Sequence, residues 1–270
     1  MGLMADEIVF LKLGGSLITD KTIPYTARHD KLADLSAQIA AALREQSELS
    51  LVLGHGSGSF GHTAAKIHGT RLGVNSAAQW RGFAEVWLQA SALNRFVMQA
   101  LHQAGVPGLA LAPISAVTSR AGKVCAWDLS PLKSALAAGL VPVIYGDVIF
   151  DQTLGGTILS TEDRFEHLAT ALKPRRILLA GLEAAVWADF PARRQRLEKI
   201  TPATFARVKA GVGASHAADV TGGMDSKVRQ MLALVNEIPD LTAQIFSGEE
   251  PGSLRQALAG KHLGTLICAS

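Results

Sequence analysis

The chain has little of what many function classes require. Its 270 residues include only two cysteines, Cys125 and Cys268. They stand far apart and fit no metal-ligand or redox spacing, so two buried thiols in a reducing compartment are expected. Aromatic residues make up 6% and charged residues 18%, and the basic residues gather only in pairs such as Arg193-Arg194. A nucleic-acid surface of basic stretches interleaved with aromatics is thereby excluded. No apolar stretch reaches the length of a membrane span. Residues 1–7 lack a basic start followed by an apolar segment, so the expectation is a cytoplasmic protein with neither membrane nor nucleic acid as partner. What is abundant is apolar content, 48% hydrophobic with a net charge of +3. That is the composition of a globular chain long enough for one large α/β domain or two modest ones.

The most informative stretch spans residues 51–62. An aliphatic run, Leu51-Val52-Leu53, feeds Gly54-His55-Gly56-Ser57-Gly58-Ser59-Phe60-Gly61-His62, with four glycines, two serines and two histidines in nine residues. Glycine lets the backbone approach a ligand closely, and successive N–H groups make a nest for anions. A helix expected from Thr63 would aim its N-terminus at the same place, and His62 can hydrogen-bond a phosphate oxygen. Two further glycine-rich turns accompany it. One follows the apolar run 8–13 as Gly14-Gly15-Ser16, with Asp20-Lys21 beyond; the other is Val220-Thr221-Gly222-Gly223-Met224-Asp225-Ser226-Lys227. Neither has the Walker spacing, and Gly56-x-Gly58-x-x-Gly61 lacks the acidic residue about twenty positions on that a dinucleotide fold needs.

Strand-like and helix-like patterns alternate along the whole chain. Strands are expected at 8–13, 50–54, 108–112, 141–145, 176–181 and 243–246, and helices at 30–46, 77–104, 130–138, 162–172, 202–209 and 226–236. Continuous Val/Ile/Leu runs are strands buried on both faces, so the pattern argues an α/β sandwich with ligands at the glycine-bearing strand ends. Trp80, Phe83, Trp87, Ala90, Leu93 and Val97 recur at helical spacing. They form a core face, or the wall of an apolar pocket suited to a hydrocarbon substituent.

Taken in order, these motifs resemble the amino acid kinase superfamily and, within it, the isopentenyl phosphate kinase family. Residues 12–21 resemble that family's opening motif, residues 55–62 its H-G-[GA]-G-S-F-G-H loop, and residues 142–148 and 220–227 two further signatures. The resemblance runs from about residue 8 to 265. It implies a three-layer αβα sandwich around a mostly parallel sheet, in one amino acid kinase-like domain. The acceptor would bind in about residues 1–165 and the nucleotide in about 166–270. It further implies transfer of the γ-phosphoryl of ATP, carried with Mg²⁺, to a prenyl phosphate such as isopentenyl phosphate, in a homodimer, with no metal ligands from the protein. By residue, Lys21 would stabilise the transferring phosphoryl. Lys12 and Lys227 would hold ATP phosphates with Gly14, Gly15, Ser16 and Gly223. Gly56, Ser57, Gly58 and His62, with Gly146, would seat the acceptor phosphate, and Asp163 would hold the catalytic lysines in place.

Three segments depart from the family pattern. Ser57 replaces the usual Gly or Ala, and residues 160–163 read Ser-Thr-Glu-Asp where S-G-D-D is usual. Residues 179–187 stand where the family reads like L-T-D-V-D-G-V-Y, keeping Glu183 as the one acid and leaving nucleotide preference open. Residues 193–196 read as a solvated loop, with a lid over the nucleotide as the second reading. Two rival functions share the same residues: a fosfomycin kinase-like phosphonate kinase, and a non-catalytic phosphate-ligand sensor on the same fold.

Overall fold

The computed structural model describes residues 7–208 and 223–270; Val220, Thr221 and Gly222 of the third glycine-rich turn lie outside the described residues. The chain runs β1 (Glu7–Leu13), α1 (Gly15–Ile18), α2 (His29–Glu45), β2 (Leu49–His55), α3 (Gly58–His68), α4 (Ala77–Gln103) and β3 (Gly108–Ala110). It continues through β4 (Val117–Arg120), β5 (Lys123–Trp127), α5 (Ser130–Ala137), β6 (Val141–Tyr145), β7 (Asp147–Asp151), β8 (Gly155–Leu159) and α6 (Thr161–Leu172). The remaining elements are β9 (Arg176–Gly181), β10 (Val186–Trp187), β11 (Arg196–Leu197), β12 (Lys199–Ile200), α7 (Pro202–Val208), α8 (Gly223–Glu237), β13 (Thr242–Ser247), α9 (Ser253–Leu258) and β14 (Thr265–Ile267).

Side-chain alternation on the strands builds the layers. In β1, Val9, Leu11 and Leu13 face a core shared with α1, α2, α4 and α9, while Phe10 faces a second core under α5, α6, α7 and α8. Each such side chain, withdrawn fully from water, contributes about 1.5–3 kcal/mol. Helices therefore cover both faces of one eight-stranded sheet, ordered β12-β14-β13-β9-β1-β2-β6-β3. Its pairs are parallel except β13 with β14. The α/β sandwich expected from the alternation, in the three layers that the resemblance implies, is the observed architecture.

Two things were not legible in the pattern. A smaller sheet, β5-β4-β7-β8, inserts between β3 and α6, and its strands are too short and mixed to register as a period. Asp151 makes its turns, accepting backbone N–H bonds from Ala121, Gly122, Thr153 and Leu154 and a hydroxyl bond from Ser119. The cysteines correct an expectation: neither is buried, and Cys125 on β5 is exposed, because that sheet has one face toward solvent.

The chain leaves β1 toward β2 on one side and later returns as β9 on the other. Such a reversal opens a crevice at the carboxyl ends of the strands. Register brings those ends level: Leu13 pairs with His55 on β2 and with Ala180 on β9, and His55 pairs with Tyr145 on β6.

Candidate active site

At this crevice the glycine-rich turns pack backbone on backbone. Gly14 N–H donates to Ala180 O (2.8 Å), Gly56 N–H to Leu13 O (3.0 Å) and Gly146 N–H to His55 O (3.1 Å), so each turn prolongs the ladder beyond its strand. A Cβ on Gly15 would lie 2.4 Å from Gly58 N, and Gly58 itself has φ +50° and no room beside Thr19. Part of the glycine signal thus serves contact between the first two turns. Gly146 differs, since a Cβ there would meet nothing closer than 3.8 Å.

These turns rim a cavity of about 410 Å³. Lys12, Gly14, Gly15, Ser16 and Lys21 line it from the first turn, and Gly56, Ser57, Gly61 and His62 from the second. Gly146, Gly223 and Lys227 complete this part of the wall. Two expected site residues do not line it. Gly58 is consumed by the packing of the turns, and Asp163 points elsewhere in function, as shown below. The helix after the second turn starts at Gly58 rather than Thr63, which places His62 on α3 itself, four residues from its N-terminal end.

Lys12 is the polar exception of an apolar strand. It shares a face with Phe10, is buried, and its Nζ donates to Glu162 Oε1 at 2.6 Å. Burial pushes the Glu162 carboxyl up, but Lys12 and Lys227 outweigh it and hold it below its ordinary range. Asp163 was the expected partner of the lysines, and this is corrected for Lys12. Asp163 is the third residue of α6, and there its carboxylate accepts from Ser160 N–H (2.7 Å) while Ser160 Oγ accepts from Asp163 N–H (3.1 Å). That reciprocal arrangement is a capping box. It turns Asp163 back on the helix end and leaves Glu162, one residue earlier, aimed at β1.

Two further residues went unnoticed in the sequence. Arg164 is fully buried and its guanidinium donates to Tyr145 O (2.7 Å), Leu159 O (2.7 Å) and Asp147 O (3.1 Å); burial brings it down to about 10. Asp147 lines the cavity, and its Oδ1 accepts from Val148 N–H at 2.8 Å. Its Oδ2 is buried without a partner among the described residues. Burial raises this carboxyl to about 7 against the pull of Arg164. His55 plays a different part. Burial lowers its pKa, and it stacks on Tyr145 at 5.3 Å with Nε2 3.1 Å from Asn94 Oδ1, a structural post beneath the second turn.

The two ends of the cavity differ in chemistry. At one end Ala65 of α3, Val86 of α4 and Ile158 of β8 make an apolar wall, the rim of a small core formed by α3, α4, β7 and β8. The wall expected from Trp80, Phe83 and Trp87 is corrected. Trp80 and Trp87 face outward and are exposed, and Phe83 is inside that small core, while Val86 presents to the cavity. At the other end stand Leu182, Glu183, Trp187, Phe190, Arg193 and Met224. Among the described residues no cluster of three or more His, Cys, Asp or Glu side chains could hold a metal ion, and no helix is long and apolar enough to cross a membrane.

Residues 7–247 match the model of the amino acid kinase family. An isopentenyl phosphate kinase of Haloferax volcanii is 36% identical over 261 residues, covering 97% of this chain and 98% of that protein. One from Methanocaldococcus jannaschii is 30% identical over 269 residues, covering 96% and 98%. A solved isopentenyl phosphate kinase structure superposes with a TM-score of 0.82 at 29% identity, covering 96% of this chain and 99% of that one.

Proposed function

The chain belongs to the amino acid kinase family, among its isopentenyl phosphate kinases, and on that premise we propose that it transfers the γ-phosphoryl of ATP to the phosphate of isopentenyl phosphate, giving isopentenyl diphosphate and ADP. One observation carries the reading: a single cavity in which three lysines from separate segments meet glycine turns in the middle and an apolar wall at one end. Two phosphate-bearing reactants repel, and cations between them remove that obstacle. The tail of the acceptor lies against Ala65, Val86 and Ile158, its phosphate against Gly56, Ser57, Gly146 and His62. The nucleotide enters from the side built by residues 166–270.

In the transfer, an oxygen of the acceptor phosphate forms the new bond to the γ-phosphorus as the bond to the β,γ-bridging oxygen breaks, and ADP leaves. The acceptor is already an anion, so no strong base is needed, and catalysis is alignment with charge neutralisation. Lys21 neutralises the transferring phosphoryl. Lys12 and Lys227 hold the ATP phosphates with Gly14, Gly15, Ser16 and Gly223, and Glu162 keeps Lys12 in place. The Mg²⁺ arrives as part of the nucleotide complex on the phosphate oxygens. A cytoplasmic homodimer is the expected working form.

The test is ADP release with Mg-ATP and, in turn, isopentenyl phosphate, dimethylallyl phosphate, geranyl phosphate and fosfomycin. Fast turnover with the five-carbon phosphates is the expected result. Activity with fosfomycin alone would replace the acceptor, and ligand binding without turnover would make the protein a sensor.

A further inference from the structure

The segment 188–195 is a solvated loop, exposed from Pro191 to Gln195, and it has a built frame. The β10–β11 pair closes it, with Val186 opposite Leu197, and Ala188 N–H donates to Gln195 O at 2.9 Å. Asp189 gathers its far side, accepting from the backbone N–H groups of Arg194 and Gln195 at 3.1 Å. Within this frame Arg193 takes a left-handed backbone, φ +53°, which carries its side chain to the cavity wall. Its Nε and Nη2 donate to the two carboxylate oxygens of Glu183 at 2.9 and 2.6 Å. Trp187 Nε1 donates to the same carboxylate at 3.1 Å. The guanidinium carbon stands 5.1 Å from the centre of the Phe190 ring.

A guanidinium has five N–H hydrogens in a rigid fork. Glu183 occupies one edge, and the three remaining hydrogens have no acceptor among the described residues. A fork already fixed by a carboxylate and an aromatic face loses little freedom when it takes a second ligand, and its geometry matches two oxygens of one phosphate. We propose that Arg193 binds the phosphates of the nucleotide, and that Glu183 is its positioning residue, presenting the free edge of the fork to the cavity. This rests on the reading of the 166–270 side as the nucleotide side. It also gives a purpose to the one acid retained where the family motif carries two aspartates: Glu183 serves the arginine.

The sign of one substitution separates this from plain electrostatics. If Glu183 only repels an anionic nucleotide, Glu183→Gln tightens nucleotide binding. If it positions Arg193, the same change weakens binding although a negative charge has been removed. The experiment measures the KM for Mg-ATP and for isopentenyl phosphate, with ADP affinity by calorimetry, for the wild type, Arg193→Ala, Arg193→Lys and Glu183→Gln. Losing a charge-assisted bond raises the ATP KM and ADP Kd of Arg193→Ala about tenfold, with a smaller effect on the acceptor KM. Arg193→Lys keeps the charge without the fork and does not restore binding. Glu183→Gln weakens ADP in the same direction. Unchanged ADP affinity in Arg193→Ala, a loss falling on the acceptor, or tighter ADP in Glu183→Gln would each overturn the assignment. A wild-type protein that binds isopentenyl phosphate but no ADP would instead remove the nucleotide-side reading, and this inference with it.

Discussion

Asp147 shows how much of the site is decided one residue at a time. The motif around it marks Gly146 for the acceptor phosphate and passes over the acid beside it. Only burial by β6, β7 and α6 raises that carboxyl to about 7. The consequence for stability has a definite sign. Between the ordinary carboxylate range and about pH 7 the folded protein holds a proton that the unfolded chain has released, so stability falls as pH rises. Asp147→Asn removes this dependence. Melting curves from pH 4.5 to 9 are therefore expected to show the wild type losing several degrees relative to the variant, with the gap constant above about pH 8. A gap that does not change with pH would mean that Asp147 is ionised throughout. Lys12 and Glu162 teach the complementary lesson. A lysine inside an apolar strand demands a partner, and that demand is legible in the sequence. Which of two adjacent acids answers it depends on where α6 begins, and the Ser160–Asp163 capping box settles that only in three dimensions.

Among the elements, the glycine turns carry two different requirements that look alike in sequence. Gly15 and Gly58 permit one turn to touch another, whereas Gly146 leaves space at the cavity wall. Gly15→Ala drives a methyl group into backbone, and overpacking of this kind costs roughly 1–3 kcal/mol, so a lower melting temperature is expected. Gly146→Ala meets only ordinary contacts in the fold and is expected to melt within a degree or two of the wild type while raising the KM for the acceptor. Equal melting temperatures for both variants would refute the division. Helix α4 makes a similar point. Its apolar stripe was plain from the spacing of Phe83, Ala90, Leu93 and Val97, all of them buried. Whether a neighbouring Trp or Val faces the cavity depends on the rotation of the helix against β7 and β8, strands that the pattern did not show.

For the whole molecule, the main sheet and the smaller one must stay in register for the cavity to keep its apolar end. Arg164 links them, bonding the last carbonyl of β6, the last of β8 and the first of β7. Burying a guanidinium is costly, and exchanging such a group for an apolar one is neutral when its partners leave with it. Here the partners are backbone carbonyls that stay behind, so orphaned acceptors decide the balance. Arg164→Met is expected to cost about 3–5 kcal/mol, a fall of roughly ten degrees in the calorimetric midpoint. A midpoint within two degrees of the wild type would show that water or relaxation satisfies those carbonyls.

By itself the sequence determined the alternation of strands and helices, the first two glycine turns, the lysine set and the membership of a kinase family. The first three follow from local period, backbone freedom and residue chemistry, and the last from the likeness of ordered motifs, all of which a linear string records. The tertiary structure alone decided that Glu162 meets Lys12, that Val86 and not Trp87 borders the cavity, that Asp147 is held near neutrality, and that Arg193 reaches the wall. Each of those depends on rotation, register or burial between segments far apart in the chain, and no local pattern encodes the distance between them.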